Sequence, residues 1–321
     1  MNALYRSLGI SKQAVHQKLE RRIRMKKEQF NVLNLVYEIR SDHPTMGLRD
    51  MYYKLDVQTM GRDAFESLCK QHGLQSRKIR NYRRTTDSRG VTRFDNLLKE
   101  DDFRLDGPNQ VWVSDITYIQ VKDRFYYITF IMDAYTRRIV GYHVSKRLTT
   151  ESTTLPALKM ALKTRRNVNL NGLILHSDGG GQYYDKDFLL MTGKYKIRNS
   201  MCEQAWENGK AERINGVIKN NYLIHKSINS FEELEKELDR SVQLYNNDKP
   251  HCKLKRMSPV MFENSYLCNG QKDDGERPAT ESNTAKRALN SPSGCGQKNS
   301  GSEAALECLE IRKKRSTLFR H

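Results

Sequence analysis

The chain has 321 residues, with 56 Lys and Arg against 38 Asp and Glu and a formal charge of +18. That length suits two or three compact units, and the charge favours a polyanionic partner, either nucleic acid or an anionic membrane surface. No apolar run is long enough to span a bilayer, no basic-apolar leader opens the chain, and six scattered cysteines show neither C-x-x-C nor zinc spacing, so the expectation is a soluble cytoplasmic protein with reduced thiols.

The opening segment Leu4 to Leu19 reads as helix, glycine turn, helix. Leu4, Leu8, Ile10, Val15 and Leu19 would supply the contacts between the two helices, Gly9 the left-handed turn, and Ser11 the N-cap of the second. This is the spacing of a helix-turn-helix, whose second helix would carry Lys12, Gln13 and His16 into a major groove; it is equally that of a plain helical hairpin. A helix follows from Met25 to Arg40, with Phe30, Leu33, Val36 and Tyr37 on one stripe. A second helical unit runs from His43 to Leu74, punctuated by Pro44, Gly47, Gly61 and Gly73. Between Arg77 and Arg93 lie Arg77, Lys78, Arg80, Arg83, Arg84, Arg89 and Arg93 against the single acid Asp87. Such a run serves either as a solvated linker or, with Tyr82 among the arginines, as a set of phosphate contacts.

Past Gly107-Pro108 come three β-rich runs, Val111 to Gln120, Phe125 to Met132 and Arg137 to Ser145, separated by short polar turns that predict an antiparallel meander. A helix from Thr150 to Lys163 and a buried strand Leu173 to Ser177 make a crossover, and further helices cover Ala205 to Tyr222 and Phe231 to Tyr245. That order predicts an α/β fold, a ribonuclease H-like mixed sheet flanked by helices, preceded by all-α helix-turn-helix units. Beyond Tyr266 the Gly, Ser, Asn, Lys and Glu content predicts a disordered tail. The expected organisation is residues 1–40, 41–106, 107–264 and 265–321 as front unit, second helical unit with basic linker, core and tail.

Three carboxylates stand out. Asp115 lies inside the first strand run, Asp178 closes the fourth just before Gly179, Gly180 and Gly181, and Glu212 rides a helix whose polar face also carries Asn208, Asn215, Gly216 and Lys219. Even an uncharged polar group left unpartnered in an apolar setting costs roughly 2 to 7 kcal/mol, so a carboxylate in a half-buried strand needs compensation, which a metal ion would give. In the expected sheet the fourth strand pairs beside the first, which makes Asp115 and Asp178 neighbours, and the glycines turn the backbone away and leave room for a phosphate. Mg²⁺ takes oxygen ligands from a few carboxylates and from substrate phosphates, and two such ions suit phosphoryl transfer without a nucleophilic side chain. Ser114 and Ser177 have no positioned base and are expected to be structural. His176 shares the face of Asp178 and is expected to orient it, the alternative being contact with a metal or phosphate.

These segments resemble the catalytic subunit of bacterial insertion-sequence transposases, the second-reading-frame type whose core is similar to retroviral integrases. The resemblance is carried by Trp112 to Tyr118, by His176 to Tyr183, by Glu207 to Arg213, and by Tyr245-Asn246-Asn247 with Pro250-His251, Leu254, Ser258-Pro259 and Phe262. It implies that Asp115, Asp178 and Glu212 are the catalytic metal ligands for Mg²⁺ or Mn²⁺, two ions per site. It also implies that Lys219, with Asn208 nearby, faces the element's end. Gly216 stands where the family often has a lysine, and Glu207 replaces the usual Asp and is the rival third ligand. The implied activity is binding of insertion-sequence ends in double-stranded DNA followed by metal-dependent strand cleavage and transfer, in the cytoplasm on nucleoid DNA. The implied partners are a second copy on DNA and an upstream-frame protein or fusion. The alternatives are a catalytically inactive DNA-binding repressor derived from such an enzyme, and a ribonuclease H-like nuclease unrelated to mobility.

Overall fold

The structure, a computed structural model, describes residues 11–76, 94–99, 103–202 and 208–270 together with residues 7 and 9. The basic run with Arg77, Lys78, Arg80, Arg83 and Arg84, the rival ligand Glu207, the apolar positions Leu4, Leu8 and Ile10, and the tail from residue 271 lie outside them.

Gly9 takes φ +62°, and Ser11 caps the first described helix, its Oγ accepting the Ala14 N–H at 3.1 Å, as the sequence predicts. That helix does not end near Leu19. Helix α1 (Lys12–Asp42) is continuous over 31 residues, because Glu20-Arg21-Arg22-Ile23-Arg24 offers good helix formers and no Gly, Pro or capping side chain to stop it. Leu19 is 52 % exposed and Phe30 63 %, with Ile23 and Tyr37 also exposed. The expected Phe30–Tyr37 stripe is therefore divided: Leu33 and Val36 are buried, and the other two look outward.

Helices α2 (Leu48–Leu55) and α3 (Arg62–Gln71) follow. Met46, Met51, Phe65, Leu68, Cys69 and Leu74 pack on Val32, Leu33, Val36 and Ile39, so the second half of α1 and the α2–α3 pair share one core. Arg40 closes it, donating to the carbonyls of Pro44 at 2.9 Å, Met46 at 2.8 Å and Leu74 at 2.7 Å.

Strands β1 (Val111–Val121), β2 (Arg124–Asp133) and β3 (Ile139–Ser145) form the expected antiparallel meander. Helix α4 (Thr154–Thr164) crosses to β4 (Ile174–Ser177), helix α5 (Lys186–Lys194) to β5 (Arg198–Met201). The sheet order is β3-β2-β1-β4-β5, with β4 parallel to β1 and β5 parallel to β4. This is the ribonuclease H-like mixed sheet. Alternation along β1 separates two cores. Val111, Val113, Ile119 and Val121 face helices α6 (Gly209–Asn221) and α7 (Phe231–Asn247), whereas Trp112 faces α4 and α5. Gly141 makes the second core possible: a Cβ there would lie 2.2 Å from the Ala157 carbonyl oxygen and 2.8 Å from the Ala161 Cβ.

Helix α8 (Pro259–Gly270) is bound back to the core by buried Glu263, which accepts from Arg165 at 2.5 and 3.0 Å and from Arg138 at 3.2 Å. Asn246 of α7 accepts the Ile139 N–H and donates to the Ile139 carbonyl, each at 2.9 Å, standing in for a strand partner at the start of β3.

Candidate active site

Strands β1 and β4 run parallel in a register whose last paired rung is Val113 with His176. Asp115 and Asp178 each lie two residues beyond that rung, on the sheet face covered by α6. Neighbouring strands are about 4.8 Å apart, so the two side chains leave the sheet close together. Burial, then the charge of Asp178, and further the charge of Glu212 push the Asp115 carboxyl up to about 8, against the pull of hydrogen bonds from the Ile116 N–H at 2.9 Å and Asn215 Nδ2 at 2.8 Å. Asp178 is likewise raised, chiefly by burial, while the Gly180 N–H at 3.3 Å works the other way.

Asp133 makes a useful contrast. It is fully buried and also raised by burial, yet it accepts the N–H groups of Asn109 at 2.6 Å, Tyr135 at 2.9 Å and Thr136 at 2.8 Å and so holds the β2–β3 turn. All three of these bonds come from backbone N–H groups, whereas Asp115 takes one backbone N–H and one side-chain amide and also feels the charges of Asp178 and Glu212. Glu212, in the first turn of α6, is exposed and reaches Asp115 through its charge. Among the described residues, no three His, Cys, Asp or Glu side chains converge closely enough to hold one ion, so the two aspartates form the near pair and Glu212 stands off.

Helix α6 is fixed along β1 by three side chains. Asn208 Nδ2 donates to the Ser114 carbonyl at 3.0 Å, Asn215 Nδ2 to Asp115 Oδ2, and Lys219 Nζ to the Tyr118 carbonyl at 2.7 Å while lying 4.7 Å above the Tyr118 ring. Asn208 is 3 % exposed and holds the helix start, and the half-buried Lys219 ammonium rests on β1. Asn215 was placed on the Glu212 face by periodicity; its contact with Asp115 could not be read from the helix alone. His176 Nδ1 meets Ser200 Oγ at 3.0 Å, a bond to β5.

The glycine turn differs in its reason from the expectation. None of Gly179, Gly180 and Gly181 has a positive φ. The first two sit close to their neighbours: a Cβ at Gly179 would lie 2.8 Å from Met201 Cε, the end of a flexible side chain, and one at Gly180 would lie 3.1 Å from Asp178 Oδ1. Gly181 has open space around it.

The exposed side chains Lys12, Gln13 and His16 line the first turns of α1. His43, just after α1, hydrogen-bonds Tyr222 OH through Nδ1 at 3.0 Å and Asp248 Oδ2 through Nε2 at 2.7 Å, and Lys54 donates to the same carboxylate. This contact joins the front helices to the C-terminal ends of α6 and α7. No helix among the described residues is long and apolar enough to cross a membrane.

Residues 106–205 match the integrase core domain family, and residues 194–259 match a second family of that description. An uncharacterized 31 kDa protein of insertion element IS600 from Shigella sonnei is 34% identical over 211 residues, 64% of this chain and 76% of that protein. A putative transposase for insertion sequence element IS986/IS6110 from Mycobacterium tuberculosis is 29% identical over 240 residues, 72% of this chain and 86% of that one. Transposase InsF for insertion sequence IS3A from Escherichia coli is 28% identical over 224 residues, covering 68% and 75%.

Proposed function

The chain belongs to the insertion-sequence transposases built on an integrase core domain, and from that premise we propose that Asp115, Asp178 and Glu212 are its catalytic carboxylates. It is a polynucleotidyl transferase acting on DNA. The observation that carries the site assignment is the parallel β1–β4 pairing, which sets Asp115 beside Asp178 with the charge of Glu212 in reach.

The donor set fits a hard divalent cation. All three side chains offer carboxylate oxygens, and a cation among them would offset the burial and then the like charges that raise Asp115. Two Mg²⁺ or Mn²⁺ ions bound there would supply activation of the attacking oxygen and stabilisation of the leaving one in an in-line displacement at phosphorus. Asp115 and Asp178 provide the fixed part of the site. Glu212 completes it from α6, its flexible side chain turning on a helix that Asn208, Asn215 and Lys219 hold against β1. Open space for a phosphate lies at Gly181, where nothing stands within 4 Å of a Cβ position.

Lys12, Gln13 and His16 read the element's end in our scheme, and the run including Arg77, Lys78, Arg80, Arg83 and Arg84 neutralises phosphates. The protein works on nucleoid DNA as an oligomer, with an upstream-frame protein or fusion supplying further contacts. Incubation with labelled element ends and Mg²⁺ or Mn²⁺ tests this reading through the appearance of joined products. Specific end binding without cleavage or joining would replace it with the inactive repressor.

A further inference from the structure

Ser114 touches every segment that bears one of the three carboxylates. It precedes Asp115 in β1, it is completely buried, and its carbonyl accepts the Asn208 bond that holds the start of the Glu212 helix. Its hydroxyl lies on the opposite side of the sheet from Asp115, among the residues under α4 and α5. There Ser114 Oγ donates to the Phe130 carbonyl at 2.9 Å and lies 2.8 Å from the Tyr183 hydroxyl. A serine has one hydrogen to give, so the Tyr183 hydroxyl is the donor in the second bond. Burial, then the charges of Asp178 and Asp115, hold the Tyr183 phenol well above its usual range, which keeps that proton in place.

The chain of bonds runs from Tyr183 O–H to Ser114 Oγ–H to the carbonyl of Phe130, the residue paired with Asp115 across β1 and β2. Tyr183 belongs to the turn that follows Asp178, and its ring is fixed edge-on against Phe188 at 5.6 Å. The Thr154 hydroxyl donates to the Gln182 carbonyl at 3.0 Å and anchors the same turn to α4. A buried hydrogen bond between side chains 69 positions apart fixes two backbone segments relative to each other far better than apolar contact, because slippage would leave both polar groups unsatisfied.

We propose that Ser114 and Tyr183 are positioning residues: their hydroxyl pair, behind the sheet, sets the separation of the Asp115 and Asp178 carboxylates, and Ser114 relays that placement to the Glu212 helix through Asn208. This rests on the reading of the three acids as metal ligands. Neither residue touches substrate. A phenylalanine or alanine in place of the pair would keep the fold and leave the two carboxylates free to drift, which lowers affinity for a cation they must hold together.

The test uses the full chain and Mn²⁺ binding followed by electron paramagnetic resonance, with end binding and the melting temperature in chelator measured alongside. Tyr183→Phe and Ser114→Ala are each expected to raise the half-saturating Mn²⁺ concentration about 10-fold, and the double variant about 10-fold rather than 100-fold, since the two act through one bond. End binding stays near that of the parent chain, and the melting temperature in chelator falls only by the few degrees that an unsatisfied buried hydroxyl costs. Unchanged Mn²⁺ affinity in Tyr183→Phe, multiplying effects in the double variant, or a parallel loss of end binding would overturn the proposal. Asp115→Asn is the control: if it too keeps Mn²⁺ binding, the metal-ligand reading itself falls, and if it alone loses binding, only the positioning role falls.

Discussion

Asp115 and Asp178 stand two residues past one shared rung of parallel sheet, Val113 with His176, so backbone register makes them neighbours. The sheet places one acid on each of two central strands, and the α6 side of the sheet brings the third.

Replacing Asp115, Asp178 or Glu212 by its amide should cut joining of element ends by at least about 10²-fold, the scale of losing one preorganised charge-stabilising group, and leave end binding largely intact. Strand-transfer gels beside binding assays read both. Asp115→Asn should also raise the melting temperature in chelator at pH 7. An acid whose folded pKa is about 8, above the unfolded value, keeps its proton through neutral pH, and the folded state loses stability as pH rises from about 4 toward 8. The amide removes that slope, so a flat difference between the two proteins over this range would count against the assignment.

The His43–Asp248–Lys54 contact makes a different pH prediction. Burial alone would raise Asp248, but the hydrogen bonds and charges of His43 and Lys54 outweigh it and hold the carboxyl at about 2. The stabilisation is therefore present above the unfolded carboxylate value near 4 and is lost as pH falls through about 2. With the side chain 42 % exposed, solvent screening reduces its worth to about 1 kcal/mol. Asp248→Asn should lower stability by that amount at pH 7 and by nothing at pH 2, measurable by urea unfolding at the two pH values.

Two glycines should respond to alanine in opposite directions. Gly141→Ala forces a methyl into the Ala157 backbone and should destabilise by about 3 kcal/mol or more. At Gly216, inside α6, the nearest atom to a Cβ is Asn220 Nδ2 at 3.8 Å, so Gly216→Ala should stabilise by up to about 1 kcal/mol. Thermal melts of the two variants decide it.

DNA reading divides between groove and backbone contacts. Changing Lys12, Gln13 or His16 to Ala should reduce preference for the cognate end over scrambled DNA, with each lost base contact worth about 1 to 3 kcal/mol. If the basic run from Arg77 to Arg93 makes about six phosphate contacts, log affinity should fall with log salt at a slope near −5, and Ala at Arg80, Arg83 and Arg84 should flatten it by about 2 to 3. Cognate preference untouched by the first set would make the start of α1 structural and pass recognition to α2 and α3.

The meander, the crossover and the adjacency of Asp115 and Asp178 were legible because apolar strand runs carry their own period and the crossover leaves few topologies. Strand β5, Arg198-Asn199-Ser200-Met201, was not: it has little strand preference of its own and forms because β4 offers an edge to pair with. The length of α1 was missed because a glycine and a cap announced one helix and no signal marked where it would stop. The direction of Phe30 and Tyr37 depended on where α2 and α3 dock, which periodicity within α1 does not contain. The bonds of Asn208 and Lys219 to β1 could not be read from a helix wheel, which does not show that β1 runs alongside with carbonyls at Ser114 and Tyr118.

The parallel pairing of β1 with β4 also determines when Asp115 and Asp178 meet during folding. The meander forms from contacts local in sequence, whereas the β1–β4 rung closes a long interval of chain and pays its loop entropy first. Until β4 inserts, Asp115 lacks its companion Asp178, so under the proposed assignment of these acids the site assembles only through a contact between segments distant in sequence.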